Sequence, residues 1–220
     1  MSLWHEIGSQ LAHPSGIGGR AIGGFMRFVN DKTNKAAVER LGIEPGDTVL
    51  ELGCGPGHGI GLAASLASPG IVHGLDQSVE MLRQARHRNH RAMEDGRVRL
   101  HWGVFEALPF EDESIDRMLA VNVIYFWHNL SAVAAEVLRV LRPGGRLSIY
   151  ATDRESMRHW KFALTGTHRL FDADRFAAEL EAEGFVGCSI DVTHVRIAKS
   201  VTGLIAVITK VERGEPKIPR

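Results

Sequence analysis

Several things are scarce in this chain, and each scarcity excludes a class. Two cysteines in 220 residues, Cys54 and Cys188, cannot build a disulfide framework. They suit a reducing compartment, and the chain is expected in the cytoplasm. No apolar run approaches the roughly 18 residues that span a bilayer, so no integral membrane segment is expected. The first residues, MSLWHEIG, place acidic and polar groups where a signal peptide would carry a basic then apolar stretch. Charge of either sign is not in excess: Lys+Arg and Asp+Glu stand at 26 each, which removes any bulk electrostatic case for nucleic acid or anionic membrane. The eleven histidines have no cysteine or carboxylate cluster around them, and no metal is expected.

What is present is a regular alternation. After the turn Pro45-Gly46-Asp47 come the apolar runs TVLELG (48–53), IVHGLD (71–76), VRLHWG (98–103), IDRMLAVN (115–122) and RLSIYAT (146–152). Between them lie segments of crossover length. HGIGLAASLAS and SVEMLRQARHRNHRAM read as helix, or at least as crossover length, the second with Ser78 as a candidate N-cap. In SAVAAEVLRVL (131–141), Val133, Val137, Val140 and Leu141 share a face, and Arg142-Pro143-Gly144-Gly145 stops the pattern. Strands alternating with helices predict βαβ units and a parallel sheet covered on both faces. Right-handed crossovers then bring the strand C-termini to one edge. DADRFAAELEAEGF (172–185) reads as a helix, and the runs after it, with only Lys199-Ser200 between them, predict an antiparallel hairpin on the sheet edge. Residues 1–44, glycine-rich and then helical, read as a cap over a 45–210 domain. Residues 211–220 read as a flexible tail.

The glycine loop VLELGCGPGHGIG decides the ligand class. No G-x-G-x-x-G can be placed in it, so the dinucleotide fingerprint fails, and so does a Walker loop. The pattern is Glu51-x-Gly53-x-Gly55-x-Gly57, which argues for a ligand without pyrophosphate. Together with GLDQSVEMLRQA, EALPFEDESIDRMLAVNVIYF and EVLRVLRPGGRL, in that order, it resembles the successive motifs of class I S-adenosylmethionine (SAM)-dependent methyltransferases. The small-molecule branch that includes the ubiquinone and menaquinone C-methyltransferases is the most similar. The resemblance spans about Pro45 to Tyr150. It implies a Rossmann-like seven-stranded sheet, SAM as cofactor and S-adenosylhomocysteine as its product.

The resemblance also implies roles. Gly53, Gly55 and Gly57 would let backbone pass against the methionine and ribose. Glu51 either holds the loop or meets the ligand ammonium. Asp76 would accept from both ribose hydroxyls, with Gln77 and Met81 flanking the adenine. The family usually places an acid where this chain has Val104, which leaves adenine to Phe105, Glu106 or apolar contact. Asn122 closes the fourth strand at the expected reaction centre. Asn122-Val123-Ile124-Tyr125 lacks both prolines of the nucleic-acid amino-methylating signature, so no nucleic-acid partner is expected. A sulfonium is already an activated leaving group, so alignment is the protein's main contribution. A base is needed only where the acceptor loses a proton; His128, Tyr125 and His13 are the candidates. Trp160, Phe162 and Phe171 suit a small acceptor of apolar or amphiphilic character. The alternatives are methylation of nucleic acid or protein, or an NAD-type binding protein.

Overall fold

A computed structural model describes residues 31–158, 169–172, 174–199 and 201–211. His13, Trp160 and Phe162, most of the expected cap and nearly all of the expected tail lie outside them. Residues 31–41 form a helix, α1. The first strand, β1 (Val49–Leu52), is buried along its whole length, as a central parallel strand must be. It feeds the glycine loop and α2 (His58–Ala67). Then come β2 (Val72–Asp76), α3 (Val79–Arg88), α4 (His90–Glu94), β3 (Val98–Trp102) and β4 (Ile115–Val121). A 3-10 turn at Ile124–Phe126 leads to α5 (Leu130–Val140) and β5 (Leu141–Thr152). The remaining described elements are α6 (Arg154–Met157), α7 (Phe176–Ala182), β6 (Ser189–Ala198) and β7 (Val201–Thr209).

The seven strands form one sheet in the order β3-β2-β1-β4-β5-β7-β6. All neighbouring pairs from β3 to β5 are parallel, and β7 runs antiparallel to both β5 and β6. The mixed sheet is therefore as the alternation predicts, with one refinement. Only β7 opposes the sheet, because it inserts between β5 and β6. One face packs α5 and α7 through Leu130, Val133, Val137, Phe176 and Leu180. The other face packs α1 over β4, β5 and β7, and α2 over β1 and β2. No described helix is long and apolar enough to cross a membrane.

Three local departures matter for the site. The helical segment after β2 divides into two helices at Asn89, whose backbone N–H and side chain both turn back to the carbonyl of Ala85. The crossover from β3 to β4 carries no helix; residues 103–114 are irregular. Arg139 of α5 holds that stretch by donating to the carbonyls of Leu108 (3.0 Å) and Phe110 (2.8 Å) and to Asp112. Its neighbour Glu136 accepts from the Leu108 amide, and the Arg139 guanidinium holds the Glu136 carboxyl below its ordinary value. Finally, β5 begins at Leu141 rather than Arg146. Gly144 and Gly145 exchange main-chain hydrogen bonds with Lys210 just beyond β7, so the stretch that stops the helix also extends the strand.

Candidate functional site

The C-terminal ends of β1, β2, β3 and β4 lie along one edge, and the glycine loop sits at its centre. Gly53, Gly55 and Gly57 all take positive φ, at 63°, 51° and 80°. The surroundings of the three glycines differ. A Cβ on Gly53 would lie 2.4 Å from Val123 Cγ2, and one on Gly57 would lie 2.5 Å from Asn89 Nδ2 and 2.9 Å from Ala85 Cβ. Those two glycines are demanded by the protein's own packing. Around Gly55 nothing lies within 4 Å, so its absent side chain opens onto free space.

Two carboxylates frame that opening. Asp76 closes β2, and both of its oxygens are set by main chain: Oδ2 accepts from the Gly55 amide and Oδ1 from the Ser78 amide, each at 2.8 Å. Glu51, one residue before the end of β1, is only 3% exposed. Its side chain lies against the start of α2, where a Cβ on Gly59 would fall 2.3 Å from Oε1. Burial pushes the Glu51 carboxyl well above its ordinary value; the Ile60 amide opposes this and the Asp76 charge adds to it. Oε2 of Glu51 is buried with no hydrogen-bond partner. A buried carboxylate oxygen with nothing to accept from is costly unless a ligand or proton meets it. The Cys54 thiol, between these carboxylates, is likewise pushed up by burial.

The other expected contacts fall along the same edge. The Gln77 carbonyl accepts from Trp102 Nε1 at 2.9 Å, and the Gly103 amide donates to the Asp76 carbonyl. The ends of β2 and β3 are thus stapled together. Met81 is buried beneath α3, its amide donating to the N-cap Ser78. Val104 and Glu106 are exposed, whereas Phe105 turns into the core with its ring centroid 6.2 Å from that of Trp127. Asn122 takes a left-handed backbone, φ 56°, and its Oδ1 accepts from the Tyr125 hydroxyl at 3.1 Å.

The three base candidates part company. Tyr125 is buried, and its hydroxyl oxygen also accepts from the Thr152 amide, joining the ends of β4 and β5. Burial pushes its phenol above the ordinary value, which suits a clasp better than a proton acceptor at neutral pH. His128 is exposed, one residue before the helix cap Asn129. His13 lies outside the described residues. Among the described residues no group of three or more potential ligands could hold a metal. Sequence reading missed Trp102, which a strand-end tryptophan could have signalled, and Asn89, which carries no local signal.

The arrangement fits a sulfonium nucleoside. Among the described residues, the buried unpartnered Oε2 of Glu51, the Asp76 carboxylate and the open Gly55 lie on this one edge.

Comparison with known proteins agrees. A family described as a methyltransferase domain matches residues 50–149. The chain is 31% identical over 136 residues to the uncharacterized methyltransferase YdaC of Bacillus subtilis, covering 61% of this chain and 73% of that protein. It is 34% identical over 187 residues to the malonyl-[acyl-carrier protein] O-methyltransferase of Methylococcus capsulatus, covering 82% and 66%. Among the first three curated relatives it matches, the aligned segment spans from 34% to 73% of their length. A chain in the solved complex between the Haloferax volcanii Trm112 methyltransferase activator and its methyltransferase superposes with a TM-score of 0.76 at 20% identity, covering 89% of this chain and 95% of that one. With motif order, sheet order, donor-shaped edge and relatives in accord, the chain belongs to the class I SAM-dependent methyltransferases.

Proposed function

We propose that this protein transfers the methyl group of SAM to a small organic acceptor by in-line displacement. The observation that carries the reading is the unpartnered, buried Oε2 of Glu51 beside the open Gly55 and the Asp76 carboxylate. Glu51 would meet the donor's ammonium, and Asp76 its ribose hydroxyls. The malonyl-carrier O-methyltransferase among the relatives supports an organic acceptor rather than nucleic acid.

When bound, SAM supplies a methyl group already activated by a sulfonium leaving group. The chain's task is then placement, and orientation of two reactants can contribute roughly 7–11 kcal/mol. Asp76 anchors the sugar while its two main-chain bonds fix the loop. The Tyr125–Asn122 pair fixes the exit of β4 beside the loop, where Val123 packs on Gly53. His128, exposed at the end of the β4–α5 connection just before the N-cap Asn129, would take a proton from an acceptor that must lose one.

Titration calorimetry with SAM, S-adenosylhomocysteine and NAD tests the donor. SAM and its product should bind and NAD should not; tighter NAD binding ends the reading. Asp76→Asn keeps the shape and removes the charge, and should weaken SAM by about 10- to 100-fold, the worth of a charge-assisted hydrogen bond. Unaltered SAM affinity in that variant refutes the role given to Asp76. Methyl-labelled SAM with a panel of small acids, phenols and thioesters then reads the acceptor class.

A further inference from the structure

We infer that Asn89, a residue of the α3–α4 junction, is a positioning residue for donor binding, acting through the carbonyl of Gly57. This rests on the donor reading above. Asn89 is 7% exposed, and its single amide nitrogen uses both protons: Nδ2 donates to Gly57 O at 2.9 Å and to Ala85 O at 3.0 Å. The first bond crosses 32 residues of sequence to reach the end of the glycine loop. The second caps α3, where the Asn89 backbone N–H also points. The amide is closely walled. A Cβ on Gly57 would lie 2.5 Å from Nδ2, and one on Gly61 would lie 3.1 Å from Oδ1.

The consequence runs along the chain. Gly57 is the left-handed N-cap of α2 and has no capping side chain of its own. Its carbonyl orientation sets the plane of the Gly57–His58 peptide, and that plane aims the first amides of α2. One of these, the Ile60 amide, donates to Glu51. Asn89 therefore holds, from the side away from ligand, the turn that presents both Gly55 and the unpartnered oxygen of Glu51. It touches no ligand. A glycine loop with three left-handed residues has wide freedom, and an external clasp removes that freedom before the donor arrives. The division between α3 and α4 has the same origin. A continuous helix would carry residue 89 past the loop instead of turning its side chain to it.

The test uses the full chain and calorimetry with SAM, alongside thermal unfolding without ligand. Asn89→Leu keeps the branched outline and removes both donated bonds; it should weaken SAM by about tenfold. Ser148→Ala, which removes a buried bond to the Ala37 carbonyl of α1, serves as a stability control. It should lower the unfolding temperature yet leave SAM affinity unchanged. Asn89→Asp provides a second route if the leucine variant does not fold. Its carboxylate faces the Gly57 carbonyl and should bind SAM weakly at pH 8, regaining affinity relative to wild type as the pH falls and the protonated group donates again. Wild-type SAM affinity in either folded Asn89 variant across the pH range overturns the inference while leaving the donor reading intact. A wild-type protein that binds no SAM overturns the donor reading and this inference with it.

Discussion

At the scale of one residue, Glu51 sets stability against binding. Its carboxyl is buried and its folded-state value is raised well above the ordinary one, chiefly by desolvation. A raised carboxyl means that the folded protein holds the proton to higher pH than the unfolded chain does. Folding then loses stability as pH rises from the ordinary carboxylate range through the folded value. At neutral pH the ligand-free protein carries that cost. Glu51→Gln keeps the shape, removes the charge and should raise the unfolding temperature of the ligand-free protein by roughly 2–4 °C per kcal/mol recovered. The same variant should lose about tenfold in SAM affinity, because the amide cannot neutralise an ammonium. A scan with and without SAM reads both effects, and a variant that is both less stable and fully competent contradicts them.

At the scale of elements, the β3–β4 crossover is the least helical part of the site and depends on α5. Arg139 makes bonds to Leu108, Phe110, Asp112 and Glu136, a clasp that closes a loop of twelve irregular residues. Arg139→Leu should cost about 2–3 kcal/mol, since Glu136 loses its partner and two carbonyls lose donors. Hydrogen exchange should rise across residues 103–114 and leave β1 and β4 protected. Uniform exchange across the sheet instead would show a global rather than local role. Such elements also show which parts of the fold sequence can announce. The short, mostly apolar run of β1, the valine face of α5 and the two-residue gap between β6 and β7 each carry a local signal, and all three stand as expected. Asn89 does not, because its reason for breaking a helix is a carbonyl 32 residues away. The irregular crossover and the early start of β5 are likewise set by distant partners, Arg139 and Lys210. In the loop, the glycine pattern was readable, but not that Val123 and Ala85 are what demand Gly53 and Gly57.

At the scale of the whole molecule, zero formal net charge and an isoelectric point near 7.2 leave little general repulsion near neutrality, so specific groups dominate the response to pH. The leading one on the acid side is a histidine pair on the β2–β3 flank. His73 Nδ1 lies 2.9 Å from His101 Nε2, and both rings meet Phe110 at about 5 Å. Burial first, then the charges of His101 and Arg99, lowers His73 from 6.5 to about 4, and burial lowers His101 in the same direction. The unfolded chain therefore binds protons before the folded one, and stability falls as pH drops from about 6.5 to about 4. A shift of that size sets a ceiling of about 3 kcal/mol, and partial contact with solvent brings the expected loss to roughly 2 kcal/mol. Glu51 has the opposite sign over an overlapping range, because its raised carboxyl gains stability for the fold as pH falls. The wild-type acid limb is thus the difference of two slopes, and two variants separate them. His73→Phe, which keeps an aromatic contact with Phe110, should flatten the fall in unfolding temperature between pH 6.5 and 4. Glu51→Gln should make it steeper. If His73→Phe unfolds with the wild-type pH dependence, the histidine pair is not the origin of the acid limb.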